Sequence, residues 1–326
     1  MILARLSRTF DPLVRLLLVA ILLATLLPVT GGARLVAQAI SDGAIFLLFL
    51  LNGLRLPRAE VMRGIGHARF LLPLIVWCFG AMAFAGWGLW QLGESVLPPT
   101  VALGLLFLGL LPSTVQSATA YSSLAGGNVA SSVVAAAVLN VLGVFLTAPL
   151  LSLIAGSAGA GFDIGSLERI ALILLLPFAL GQLLQGRVGH LVRDHRQLAT
   201  WMDRTAIAIA VYVAFSGAVE QGLWGRVDLT AWATLLALVG VFLGIGFGGA
   251  WLTGGALRLS RPDRIAFLFA GAQKSLALGA PLATVLFPPA IAGLLLLPVL
   301  VYHLLQLVIS APLAARLSRS GAAPPR

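Results

Sequence analysis

The sequence predicts an all-α, polytopic membrane protein of ten transmembrane helices, and three observations predict it. The 326 residues are 60% hydrophobic and 10% charged, with 36 glycines, which leaves too little polar surface for a water-soluble domain. The apolar residues fall into ten segments of roughly spanning length, joined by short loops. The arginines collect in alternate loops, as positively charged flanks do when they orient a chain in a bilayer. A formal net charge of +10 would suggest nucleic acid as a partner for a soluble protein. Here that charge is an insertion signal, the partner it implies is the lipid bilayer, and nucleic-acid binding is excluded.

The segments run over residues 12–29, 35–54, 69–91, 98–124, 128–155, 167–187, 200–220, 229–257, 263–287 and 290–315. The first follows Arg5, Arg8 and Arg15 in the manner of a secretory signal, but its apolar run continues to Pro28 and Val29, so a retained helix is expected. Between segments four and five the turn Ala125-Gly126-Gly127-Asn128 carries no charge and implies a tight helical hairpin. The glycines of 244–249 and the pair Gly254-Gly255 follow no strand and precede no Lys-Ser or Lys-Thr pair. Close helix packing accounts for them better than a phosphate loop. Cys78 is the sole cysteine and lies inside an apolar run, so neither an internal disulfide nor a thiolate metal site can form.

Arg5, Arg8, Arg15, Arg55, Arg58, Arg63, Arg69, Arg187, Arg193, Arg196, Arg204, Arg258, Arg261, Arg264, Arg316, Arg319 and Arg326 share one side with both termini. Only Arg34, Arg169 and Arg226 fall on the other. Both termini are therefore expected in the cytoplasm. Glu94, Asp163, Glu168, Glu220 and Asp228 fall near the outer loops as solvated caps, with Asp42 the possible exception because apolar residues follow it without a break. Two sets of five spans, 1–157 and 158–326, would enter the membrane in opposite senses and form an inverted 5+5 repeat.

Segments four and nine would then correspond, and these two carry polar interruptions. One is Leu111-Pro112-Ser113-Thr114-Val115-Gln116-Ser117-Ala118-Thr119, broken at Pro112; the other is Phe269-Ala270-Gly271-Ala272-Gln273-Lys274-Ser275-Leu276, with Gly271, Gly279 and Pro281 as its breakers. Such a pair of interrupted spans points to a transporter's binding site. Lys274 is the only lysine among 21 basic residues. It lies ten residues beyond Arg264, about 15 Å along a helix and half of a roughly 30 Å hydrocarbon core. Snorkelling cannot cover that distance, so polar groups must meet the amine.

The candidate substrate- and ion-binding residues are Lys274, Gln273, Ser275, Gln116, Ser117, Thr114 and Thr119. Asn140, His303 and Gln306 are expected to hold the interrupted segments from segments five and ten, the last two at an i, i+3 spacing that shares one helix face. The competing reading is interhelical hydrogen bonding for the polar side chains and carbonyl capping for the lysine. No catalytic residue is assigned: the chain has no Gly-x-Ser-x-Gly, no His-Glu-x-x-His and no opposed intramembrane aspartates, which argues against an intramembrane protease or acyltransferase.

Pro112-Ser113-Thr114-Val115-Gln116-Ser117, Gly127-Asn128-Val129-Ala130, Gly271-Ala272-Gln273-Lys274-Ser275-Leu276-Ala277 and Tyr302-His303-Leu304-Leu305-Gln306 together resemble the bile acid:sodium symporter superfamily, in its SBF-like branch. The resemblance spans essentially the whole chain. It implies a panel domain (about 12–54 and 167–220), a core domain (about 69–155 and 229–315), unwound helices four and nine that cross near the midplane, and a solute site between panel and core. It adds Ser132 to the candidate site. Symporters of the family carry an acidic residue before the glutamine of the ninth helix and a neutral amide after it, where this chain has Phe269 and Lys274. A sodium site that loses its carboxylate and gains an ammonium binds sodium poorly.

The expected function is secondary active transport of a small organic anion by alternating access, in a bacterial cytoplasmic membrane. The expected motive force is a proton or another ion in preference to sodium, with H+ and Na+ both kept as candidate coupling ions, and no organic cofactor or metal is expected. The alternative is a regulatory membrane protein that keeps the fold without transport.

Overall fold

The computed structural model describes residues 12–55, 67–156, 168–169, 171–222, 225 and 227–321. Arg5, Arg8, Arg58, Arg63, Asp163, Arg226 and Arg326, and the 157/158 repeat boundary, lie outside the described residues. Among the described residues all regular structure is helical. In chain order the helices are α1 Pro12–Leu26, α2 Gly32–Arg55, α3 Ala68–Gly93, α4 Pro99–Leu110, α5 Gln116–Leu124 and α6 Val129–Ala155. They continue as α7 Ala171–Asp194, α8 Arg196–Glu220, α9 Leu229–Ala256, α10 Arg261–Ala272, α11 Leu276–Leu286 and α12 Pro289–Gly321.

Local chemistry explains several of the boundaries. Pro99 sits in the first turn of α4, where its missing N–H costs nothing. The side chains of Asn128, Asp228 and Ser260 accept the first free amides of α6, α9 and α10. Asp228 is thus a cap, as its loop position suggested. The turn before α6 closes with Gly126 at φ 76°, a conformation that glycine adopts without strain.

Eight of the described helical stretches are long and apolar enough to cross a membrane, and α1 and α4 are shorter apolar helices. Their outward faces are apolar too. Leu26, Leu35, Leu153, Leu183 and Leu229 are each at least 66% exposed, a surface that lipid stabilises and water does not. Burial is graded steeply: 22% of the apolar window of α2 is buried and 17% of that of α7, against 94% for the α10–α11 stretch. The polar interruption before Leu276 therefore sits in the most enclosed part of the chain.

The chain forms two compact units. One comprises Met1–Arg55, Gly161–Arg226 and Ala280–Leu294; the other comprises Leu56–Ala160, Val227–Gly279 and Leu295–Arg326. In the first unit α2 packs against α7 and α8, and α1 packs against α8. Gly53 and Gly181 let the backbones of α2 and α7 touch, since a Cβ on either would collide with the other helix. Arg169 donates to both carboxylate oxygens of Asp42, at 2.7 and 2.9 Å, and Arg34 pairs with Glu220. Two of the three arginines expected on the sparsely charged side are thereby paired. Glu220 is an ion-pair partner rather than a solvated cap, because the end of α8 brings it to Arg34.

In the second unit α4 is buried on every side from Val101 to Leu110. Gly86 of α3 and Gly109 of α4 approach so closely that a Cβ built on one would lie 2.9–3.0 Å from the Cα of the other. Both α3 and α9 contain a π-helical turn, Trp77–Ala81 and Ile245–Gly249, and both turns pack against α10. Trp77 lies against Gly249 and Gly271, and Arg264 against Gly254 and Gly255, so these four glycines serve packing.

Candidate functional site

Residues 111–115 and 273–275 are the two irregular stretches between helices that the polar interruptions occupy, and both belong to the second unit. The first break follows from local chemistry, because Pro112 has no N–H to continue α4. The second does not arise at its expected breakers. Gly271 is helical within α10 and Pro281 is inside α11; the helix instead opens at Gln273–Ser275, where other groups take over the backbone bonds.

Gln306 takes two of those bonds. Its Oε1 accepts from the Lys274 amide at 2.8 Å and its Nε2 donates to the Lys274 carbonyl at 3.1 Å. His303 Nδ1 lies 2.9 Å from the same Nε2, so the i, i+3 pair acts as one unit. The Ser275 amide donates to the Pro112 carbonyl at 2.8 Å and joins the two irregular stretches directly. Ser275 Oγ accepts from the Leu278 amide at 3.2 Å and caps the first turn of α11.

The side chain of Lys274 is 1% exposed. Its Nζ donates to the carbonyls of Leu111 at 2.7 Å, Gly109 at 2.9 Å and Cys78 at 3.3 Å. An ammonium has three donors, and here each meets an acceptor. Two of the carbonyls end α4, where the helix dipole places negative charge, and the third lies in the π-turn of α3. Every carbonyl from Gly109 to Ser113 is satisfied from outside its own helix: Thr147 Oγ1 donates to Leu110 at 3.0 Å and Asn140 Nδ2 to Ser113 at 2.8 Å. The end of α10 is treated alike. Cys78 Sγ donates to Ala270 at 3.8 Å, Trp77 Nε1 to Gly271 at 3.1 Å and Tyr302 Oη to Ala272 at 2.5 Å. In a bilayer, where no water reaches such groups, unwound backbone requires this full set of partners.

A second polar cluster surrounds Gln273. Its Oε1 accepts from Thr114 at 2.8 Å and Ser117 at 2.5 Å, and its Nε2 donates to Ser310 at 3.0 Å. Among the predicted residues, Lys274, Gln273, Ser275, Thr114, Ser117, Asn140, His303 and Gln306 therefore form one connected region. Three fall outside it. Gln116 is exposed at the start of α5, with no hydrogen-bond partner among the described residues, and the buried hydroxyls of Thr119 and Ser132 have none either. Phe269 is fully buried, with its ring 5.9 Å from that of Tyr121 and 6.5 Å from that of Phe247, so this position is apolar.

Sequence reasoning missed Trp77, Cys78, Thr147 and Ser310 as members of the site. Ser310 had a readable signal, since residues 303, 306 and 310 share one face of an apolar helix. Cys78 acts through its carbonyl, about which its side chain gives no information.

The profile of the SBF-like CPA transporter family matches residues 11–319 of the chain. "Putative symporter YfeH" of Escherichia coli is 37% identical over 321 residues, covering 97% of this chain and 95% of that protein. "Uncharacterized protein PA2026" of Pseudomonas aeruginosa is 37% identical over 304 residues, covering 93% and 91%. "Sodium/bile acid cotransporter 7" of Mus musculus is 23% identical over 297 residues, covering 87% and 85%.

Proposed function

The chain belongs to the SBF-like CPA transporter family, and on that premise we propose that it is a secondary active transporter of a small organic anion coupled to protons rather than to sodium. The observation that carries the coupling is the enclosure of Lys274 Nζ by three carbonyls. While the carbonyls of Leu111, Gly109 and Cys78 converge, the amine holds all three of its protons. A step that draws Leu111 away leaves one N–H without an acceptor, and its proton passes to water entering the opened cleft. An ammonium in this place, with Phe269 where a carboxylate would serve sodium, disfavours a second monovalent cation.

In this reading ten spans form an inverted 5+5 repeat in a bacterial cytoplasmic membrane, with both termini in the cytoplasm. Panel (12–54 and 167–220) and core (69–155 and 229–315) alternate access past the paired breaks. Gln116, exposed and without an internal partner, is the group that meets the solute; Gln273 and Ser117 hold the break behind it. The solute takes its negative charge from the same logic, since the site carries a lysine and no carboxylate.

The test is uptake of labelled organic anions, bile acids among them, into proteoliposomes under imposed proton or sodium gradients. An inward proton gradient raises uptake and a sodium gradient leaves it unchanged. Gln116→Ala, exposed and harmless to folding, lowers uptake. Uptake driven by sodium alone overturns the coupling, and no flux under any gradient favours the non-transporting regulatory protein.

A further inference from the structure

A cavity of about 320 Å³ lies where α3 begins and where α9 gives way to α10, wholly within the second unit. His67, Arg69, Arg258, Ser260 and Asp263 line it together with Phe70, whose ring packs edge-on to Phe267 at 6.0 Å. The volume is at the low end of ligand sites, which run from roughly 300 to 1,000 Å³, and suits a small polar group.

The charges around it are unbalanced. The side chains of Arg69 and Arg258 have no hydrogen-bond or ion-pair partner among the described residues, whereas that of the neighbouring Arg264 donates to the Trp251 carbonyl at 2.9 Å. Asp263, the one carboxylate among the described lining residues, does not neutralise them. Its oxygens accept from Asn128 at 2.8 Å, Ser131 at 3.3 Å and Ser260 at 2.6 Å, so it is committed to capping α10 and bracing α6. His67 precedes α3 without a side-chain cap, and the amides of Ala68 and Arg69 have no acceptor among the described residues.

The backbone at Arg258 adds an independent sign. The amide of Arg258 donates to the Gly255 carbonyl at 2.9 Å and that of Leu259 to Gly254 at 3.1 Å, the two bonds of a Schellman motif. The left-handed residue of that motif is usually glycine, yet here it is an arginine at φ 52°, the only described non-glycine residue with positive φ. A strained conformation persists only where the surrounding structure imposes it, and this one falls on a residue that lines the cavity.

We propose that this cavity binds a phosphate group between Arg69 and Arg258, supplied either by a phospholipid headgroup or by free phosphate. Guanidinium is the side chain best matched to phosphate oxygens, and basic pockets between membrane helices on the cytoplasmic side take anionic headgroups. The site involves none of the residues assigned to solute or coupling ion, so it stands or falls apart from the transport reading.

The test uses the full chain in neutral detergent, with thermal unfolding followed by intrinsic fluorescence. One arm titrates inorganic phosphate against chloride at matched ionic strength; the other titrates short-chain phosphatidylglycerol against short-chain phosphatidylcholine. The midpoint rises with at least one anionic probe, and the arm that responds identifies the source. Arg258→Gly relieves the strained φ, so it folds at least as well as the parent, but it binds that probe at least about tenfold more weakly. Arg69→Ala does the same, while Arg316→Ala, an exposed arginine that does not line the cavity, leaves the shift intact. No shift with either probe overturns the site. An equal loss in Arg316→Ala, or an undiminished shift in Arg258→Gly and Arg69→Ala, overturns it as well.

Discussion

Gln306 holds the main chain of Lys274 from both sides, accepting from its amide at 2.8 Å and donating to its carbonyl at 3.1 Å. A helix normally supplies these two bonds from its own ladder. Here one side chain on α12 supplies both, and that substitution keeps the chain open between α10 and α11.

Removing that side chain strands two buried backbone groups at about 1–3 kcal/mol each. Gln306→Ala is expected to lose about 2–6 kcal/mol of stability, measured as the thermal midpoint of the purified protein. Gln306→Leu fills the same space and makes neither bond, so it should still lose most of that amount. A leucine variant as stable as the parent would show that the two bonds to Lys274 contribute nothing.

Lys274→Ala leaves the carbonyls of Gly109, Leu111 and Cys78 without their shared donor. About 3 kcal/mol of destabilisation is expected, and methylammonium or ammonium should restore part of it by refilling the space. A tetraalkylammonium too bulky for the vacated volume should not. Stability that ignores added cations would count against the three carbonyls forming a cation site.

The two-pronged contact of Arg169 with Asp42 is a pair at the helix surface, with side chains 33% and 25% exposed. A double-mutant cycle with Asp42→Ala and Arg169→Ala should return a coupling of about 1 kcal/mol, toward the upper end for partly screened pairs. The charge swap Asp42→Arg with Arg169→Asp should recover much of what either single change loses. A coupling near zero would make the pair ornamental to the packing of α2 against α7.

Gly249→Ala would drive a methyl group into the indole of Trp77, an overpacking expected to cost about 1–3 kcal/mol. Trp77→Phe, which removes the benzo ring, should suppress most of that cost in the double variant while giving up the Trp77 bond to Gly271. Additive effects in the thermal midpoints would mean that the two residues do not meet in solution.

Much of the fold was legible in the residue order. Apolar run length sets where helices form, and the ends of the described helices fall within seven residues of the expected segments, except where 98–124 and 263–287 each divide in two. The division after Leu110 was readable because proline acts on its own backbone. The candidate site was legible as a composition: an intramembrane lysine, two glutamines and the His303–Gln306 spacing. Its partners were less so. Leu111, Gly109 and Cys78 meet the ammonium through carbonyls that every residue possesses, and no residue type marks which carbonyl will be used.

By itself, then, the sequence determined that this chain is helical, that it is built for a bilayer, and that Lys274 must find polar company inside it, because hydrophobic length and the cost of an unpaired charge are properties of single segments. Only the tertiary structure decided that the second break falls at Gln273–Ser275 rather than at Gly271 or Pro281, and that the company is three backbone carbonyls. Those outcomes depend on Gln306, Pro112 and the π-turn of α3 arriving from distant parts of the chain, and the geometry of that meeting is a property of packing.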